Sequence, residues 1–255
     1  MRYEYERPQD PGGEPSLAEL TAAAIKNLAK HEEGYVLMIE GARIDHANHS
    51  GNAYRALTET VALSDAVRVA NELTSADDTL IIVTADHSHT LNFVGYPARG
   101  NPILGKVKDK GGEDGAGKLD YALDGTGQPY TTLSYANGPG HTGSSNQQPA
   151  GPKRYPHNPS SFEPANGRPN LREVDTEHPD YMQEALVPMK SESHGGEDVG
   201  IWARGPGSKA IRGTLDGHLV LDRAIADQGR MVARFEEATF FAACFGNAGA
   251  GPNLS

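Results

Sequence analysis

Residues 35–49 read Tyr35-Val36-Leu37-Met38-Ile39-Glu40-Gly41-Ala42-Arg43-Ile44-Asp45-His46-Ala47-Asn48-His49, and how this stretch is read decides the fold. Its first five residues make an apolar, partly β-branched run with the length of a buried strand. A carboxylate, Glu40, stands where that strand ends. Asp45 and His49 are four apart, so if the chain turns helical after Ile44 both side chains share one face, about one turn from each other. An oxygen and an imidazole nitrogen at that spacing can hold one metal ion. The same residues also fit a strand end with an N-capping Asp and surface histidines, because short ligand-like spacings arise often by chance.

A second cluster repeats the pattern. Thr79-Leu80-Ile81-Ile82-Val83-Thr84 reads as another buried strand and runs directly into Ala85-Asp86-His87-Ser88-His89. In open α/β sheets ligands collect at the carboxyl ends of parallel strands, so the two clusters converge if these strands are neighbours. A third element, Ser193-His194-Gly195-Gly196-Glu197-Asp198, precedes the apolar residues 199–203, and its histidine can close a coordination shell from a distant part of the chain. Read from the residues alone, acid and histidine pairs of this kind fit satisfied hydrogen-bond networks as well as metal sites.

Between the clusters the chain alternates helix and strand. Ser16-Leu17-Ala18-Glu19 is a capping-box pattern, and the segment through Lys30 is expected to be a helix with Leu17, Leu20, Ala24 and Leu28 as its inward stripe. Residues 53–73 are expected to form a long helix facing inward through Leu63, Ala66, Val67, Ala70 and Leu73. That alternation predicts an α/β fold, a mostly parallel sheet covered by helices on both faces. From about 100 to 190 the composition shifts to Gly, Pro, Asn, Ser and charge, with a short strand expected at 130–135. A structureless loop of that length is unusual in a compact domain, and residues 143–172 read as a flexible insertion. Spacing through Leu219, Ala224, Ile225, Met231 and Val232 suggests a packing helix over 215–237, followed by a frayed tail from 248. The expected division is 1–100 and 191–255 as the two parts of an α/β core, with 101–190 as an insertion subdomain.

Composition bounds the function classes. The 255 residues suffice for one α/β domain with a sizeable core and a smaller insertion. Only 37% are hydrophobic, and 30 glycines and 17 prolines imply long exposed loops. A formal charge of −11 argues against nucleic acid and disfavours an anionic substrate unless bound cations reverse the local field. No segment has the apolar length of a membrane span, and residues 1–8 lack the apolar core of a signal peptide. Cys244, the single cysteine, cannot form an internal disulfide.

These motifs carry a resemblance. Glu-Gly-x-Arg-Ile-Asp-His-x-x-His at 40–49, Thr-Ala-Asp-His-Ser-His at 84–89 and His-Gly-Gly-Glu-Asp-Val at 194–199 resemble the alkaline phosphatases, in wording nearer to the mammalian-type branch. The likeness covers most of residues 1–205, including 54–60 and 95–100; beyond Gly205 it is confined to Arg204-Gly205-Pro206 and Phe240-Phe241-Ala242-Ala243-Cys244. The resemblance implies one zinc on Asp45, His49 and His194, a second zinc with Asp86 and His87 among its ligands, and a magnesium with Glu40 as a ligand. It implies that His46 and His89 lie behind the metals and phosphate, orienting ligands or waters. Phosphomonoester hydrolysis through a phosphoserine intermediate, a homodimer, and an extracellular or periplasmic location are implied in the same way. The residues 101–190 correspond to the family's small surface subdomain.

One part of the family pattern has no match. The nucleophilic serine, in an Asp-Ser-Ala context, is absent from this chain, as are the metal-bridging aspartate and the phosphate-clamping arginine that accompany it. Ser88 matches a non-nucleophilic position. The chain therefore reads as the C-terminal portion of such an enzyme, supplying most metal ligands and expected to be inactive alone. Two other readings stay open: a catalytically silent metal-binding fragment or interaction module, and another metal-dependent hydrolase of the same superfamily.

Overall fold

A computed structural model of the chain describes residues 1–109, 120–145, 148, 151–165 and 167–216, together with the backbone of the strand Thr239–Phe245. The elements that matter here are helix α1 (Leu17–Leu28), strand β1 (Gly34–Glu40), helices α2 (Arg43–His49) and α3 (Ala53–Leu73), and strand β2 (Thr79–Thr84). Short strands follow: β3 (Ser88–His89), β4 (Leu91–Phe93), β5 (Leu133–Gly138), β6 (Ser144–Ser145), β7 (Ser161–Phe162), β8 (Ala185–Pro188), β9 (His194–Gly195), β10 (Trp202–Arg204) and β11 (Thr239–Phe245). They fall into two units. The first comprises Met1–Ala42, Thr58–Ser88 and Glu197–Ser255, and the second Arg43–Leu57 and His89–Gly196.

In the first unit the expected capping box forms. The Glu19 amide donates to Ser16 Oγ at 3.2 Å while the Glu19 carboxylate accepts from the Ser16 amide at 2.8 Å, satisfying two otherwise orphaned donors at the start of α1. The buried row of this helix is not the predicted one. Thr21 and Ile25 are buried, whereas Leu20 is 47% exposed. The row that packs runs through 17, 21 and 25, and threonine is tolerated in it because its hydroxyl donates to the Leu17 carbonyl at 2.8 Å. On α3, Leu63, Ala66 and Ala70 are buried as expected, but Leu73, the last residue of the helix, is 41% exposed.

The main sheet has the order β1-β11-β2-β10, and each neighbouring pair is antiparallel. This corrects the expected mostly parallel sheet. Parallel strands need a covering crossover of a dozen residues or more, and the α2–α3 connection supplies one between β1 and β2. That connection does set β1 and β2 pointing the same way, with β11 between them. Glu40 and Thr84 both face Thr239 in the register, so β1 and β2 end at one level, about 10 Å apart at two strand spacings. β2 is a buried strand, with Leu80, Ile81 and Ile82 each no more than 3% exposed. β1 is not, since Val36 and Met38 are 51% and 47% exposed; in the described sheet it is an edge strand and has a neighbour on one side only.

The second unit is built on β5, which pairs antiparallel with β4 and parallel with β8. This strand begins at Leu133, three residues later than the sequence pattern suggests. Its Leu133 and Tyr135 are buried with Val107, Leu171 and Met182, each of which contributes roughly 1.5–3 kcal/mol by leaving water. The described part of 143–172, expected as a flexible insertion, makes specific bonds. Arg168 donates to both oxygens of Glu184, at 2.9 and 2.6 Å, and pairs with Asp124, while His157 bonds the Ser144 carbonyl at 3.0 Å. The helix expected over 215–237 and the tail from 248 lie almost wholly outside the described residues.

Candidate metal centre

The i, i+4 spacing at the first motif does fold as a helix. α2 is seven residues long, and Asn48 holds it in place from inside: its side-chain amide donates to the Ile44 carbonyl at 2.9 Å, and its oxygen accepts the Tyr135 hydroxyl at 2.7 Å. The next turn is pinned as well. The Asn52 amide donates to the carbonyls of Pro179 and Tyr181 at 2.9 and 3.1 Å, and the Gln183 side chain accepts from the Ala53 amide at 2.7 Å. These buried bonds lock the residues that follow 183 beside α2. The Glu192 amide then donates to the His49 carbonyl at 2.9 Å. In this way residues separated by some 140 positions meet.

Three imidazoles gather on one carboxylate oxygen. Asp45 Oδ1 lies 3.1 Å from His89 Nε2, 3.3 Å from His49 Nε2 and 3.5 Å from His194 Nε2. His49 Nε2 and His194 Nε2 are 3.2 Å apart. Zinc–nitrogen bonds of about 2.0–2.1 Å in a tetrahedral shell give ligand-to-ligand edges of about 3.3–3.4 Å. The Asp45, His49 and His194 atoms thus already stand at the edge lengths of such a shell, and they form one of the side-chain groups whose spacing suits a metal ion. The Asp45 side chain is 12% exposed, His49 30% and His194 47%, so the group is rooted in the unit and open to solvent on the His194 side.

A buried acid stands behind the histidines. The Glu192 side chain is fully buried; Oε1 accepts from the Thr90 amide and hydroxyl at 2.6 and 2.8 Å, and Oε2 accepts from His89 Nδ1 at 2.7 Å. Burial pushes its carboxyl up, yet these hydrogen bonds and the His89 ring outweigh burial and hold it below the ordinary carboxylate value. Burial drives the Tyr135 phenol well above its ordinary value, and the Glu192 charge adds to this.

The other predicted residues are placed as follows. Glu40, Asp86 and His87 belong to the first unit. Glu40 ends β1 and is half-buried; His87 Nε2 lies 3.3 Å from Asp86 Oδ2, and its amide donates to Asp86 Oδ1 at 3.0 Å. Ser88 donates to Glu197 Oε2 at 2.6 Å, a bond that occupies its hydroxyl. His46 is exposed on α2, whereas His89 touches the Asp45 carboxylate directly. Sequence reasoning missed Glu192, because in Lys190-Ser191-Glu192-Ser193 an acid reads as solvated loop. Its only signal was its position two residues before His194.

The family profile for alkaline phosphatase matches residues 1–225. The chain belongs to the alkaline phosphatase family. Among its relatives, the tissue-nonspecific alkaline phosphatase of Gallus gallus is 39% identical over 213 residues, which is 84% of this chain and 34% of the relative. The Homo sapiens tissue-nonspecific isozyme is 35% identical over 220 residues, 86% of this chain and 36% of the relative. The Rattus norvegicus isozyme is 36% identical over 200 residues, 78% and 32% respectively. The chain thus spans about a third of the length of the curated alkaline phosphatases it matches. Among the described residues, no helix is long and apolar enough to cross a membrane.

Proposed function

We propose that this chain contributes metal-binding residues to an alkaline phosphatase that hydrolyses phosphomonoesters at a centre of two zinc ions and one magnesium ion. The observation that carries the reading is the convergence of His49, His194 and Asp45 at tetrahedral edge lengths, in a chain of this family. Asp45, His49 and His194 hold one zinc; Asp86 and His87 supply ligands to a second; Glu40 supplies a hard oxygen donor to magnesium. His89, whose Nε2 lies 3.1 Å from Asp45 Oδ1, and His46 act from behind the metal and phosphate region. When bound, the ions supply Lewis-acid stabilisation for phosphoryl oxygens, and they offset the acidic field that a net charge of −11 presents to an anionic ester.

No residue of this chain is assigned the nucleophile. The reading includes a homodimer, with 101–190 as a surface subdomain, and an extracellular or periplasmic location, all by family membership. The experiment is a comparison of esters on the zinc- and magnesium-loaded chain. Zinc-dependent binding of inorganic phosphate, with turnover of a chromogenic phosphomonoester near background, is the expected result. Turnover at rates typical of an intact enzyme, lost on chelation, contradicts the assignment of the nucleophile elsewhere. Preference for a sulfate ester or a phosphodiester replaces the substrate class, and failure to bind zinc or phosphate favours a silent remnant.

A further inference from the structure

Among the described residues of the second unit Glu192 is the most deeply buried carboxylate, and nothing in the proposed metal chemistry uses it. It touches two of the site's histidines through two different groups. Its main-chain carbonyl faces His49 Nδ1, and its side-chain Oε2 faces His89 Nδ1 at 2.7 Å. A carbonyl can only accept a hydrogen bond, so His49 carries its proton on Nδ1 and turns the Nε2 lone pair towards His194 and Asp45 Oδ1. The ionised carboxylate likewise accepts from His89 Nδ1. Its other oxygen is saturated by the two Thr90 donors, and the Glu192 amide is anchored on the His49 carbonyl.

We propose that Glu192 is the positioning residue of the metal centre, fixing the ring orientation and proton placement of His49 through its carbonyl and of His89 through its carboxylate. The inference deepens the metal-site reading and rests on it. The same carboxylate, with His49 and His89, also has the spacing of a ligand group. That alternative is disfavoured by geometry: the two ring atoms facing Glu192 are Nδ1 atoms engaged as donors, and the carboxylate already accepts three hydrogen bonds in a fully buried position. Outer partners of this kind hold a ligand's tautomer, and their loss typically weakens metal binding by about 10–100-fold.

The discriminating variant is Glu192→Gln, which keeps the shape. Its carbonyl oxygen stays with the Thr90 donors, so its amide nitrogen faces His89 Nδ1 and, being a donor, forces the His89 proton onto Nε2. The metal-free chain and its Glu192→Gln and Glu192→Asp variants are examined by imidazole nitrogen NMR. Zinc affinity is measured by competition with a chromophoric chelator. Loss of the His89 Nδ1–H signature in Glu192→Gln, with its return in Glu192→Asp and an unchanged His49 signature throughout, is the expected result. Zinc affinity should fall about 10–100-fold in Glu192→Gln. An unaltered His89 tautomer, or an unaltered zinc affinity in a wild-type chain that binds zinc, overturns the positioning role. Loss of zinc as complete as that caused by His49→Ala makes Glu192 a ligand and overturns it too. A wild-type chain that binds no zinc sinks the metal-site reading, while the ring signatures still decide the role of Glu192.

Discussion

Asp45→Asn is the perturbation that bears most heavily on the site, because three imidazole nitrogens lie 3.1–3.5 Å from the one oxygen Oδ1. The substitution keeps the shape and removes the charge that a divalent ion needs. A ligand present at about 100 times its dissociation constant stabilises the folded chain by about 2.7 kcal/mol. At about 2–4 °C per kcal/mol for a chain of this size, zinc should raise the wild-type melting temperature by about 5–11 °C. If loss of the carboxylate weakens binding about hundredfold, the same zinc concentration stabilises the variant by only about 0.4 kcal/mol, or roughly 1–2 °C. The assay is thermal unfolding at pH 8 with and without zinc, with His31→Ala, an exposed histidine outside the site, as the control that keeps the full shift. An undiminished zinc shift in Asp45→Asn refutes the reasoning.

Two further outcomes test the two units separately. Gly205 has φ +103°, and a Cβ there would overlap the Thr79 carbonyl, so Gly205→Ala should cost on the order of 1–3 kcal/mol, read as a lower denaturation midpoint with an unchanged slope. Asp124 is held far below the ordinary carboxylate range by the Gln128 amide, the Thr126 hydroxyl and Arg168. A depressed folded value means that its stabilisation is fully present above about pH 4 and is lost as the pH falls below the unfolded value. Asp124→Asn should therefore flatten the acid side of a stability-against-pH profile below about pH 4, and an equally steep acid limb contradicts this.

What could be read from the sequence was whatever short-range spacing determines. Asp45 and His49 meet because four residues make one helical turn, and α3 spans Ala53–Leu73 because its apolar positions repeat at that period. The capping box at Ser16 and Glu19 is local in the same sense. What was not legible depends on contacts that no window contains. The mostly parallel sheet failed because β11, which separates β1 from β2, comes from more than 150 residues beyond β2. Leu20 looked inward by its helical spacing, but the packing of α1 turns on Thr21, whose polar group is satisfied within its own helix. Residue chemistry made His194 a candidate to close the shell, but only the family motifs paired it with His49, since the cause of the meeting is a set of buried amide bonds from Asn52 and Gln183. Glu192 was invisible because burial makes it special, and nothing in its neighbours announces burial.

X-ray absorption at the zinc edge of the chain loaded with one equivalent of zinc tests the central claim most directly. The account predicts a four-coordinate shell of nitrogen and oxygen at about 2.0–2.1 Å, with the outer scattering of two imidazole rings that is reduced to one ring in His194→Ala. A six-coordinate shell of oxygen without imidazole scattering, the same in wild type and variant, would contradict it.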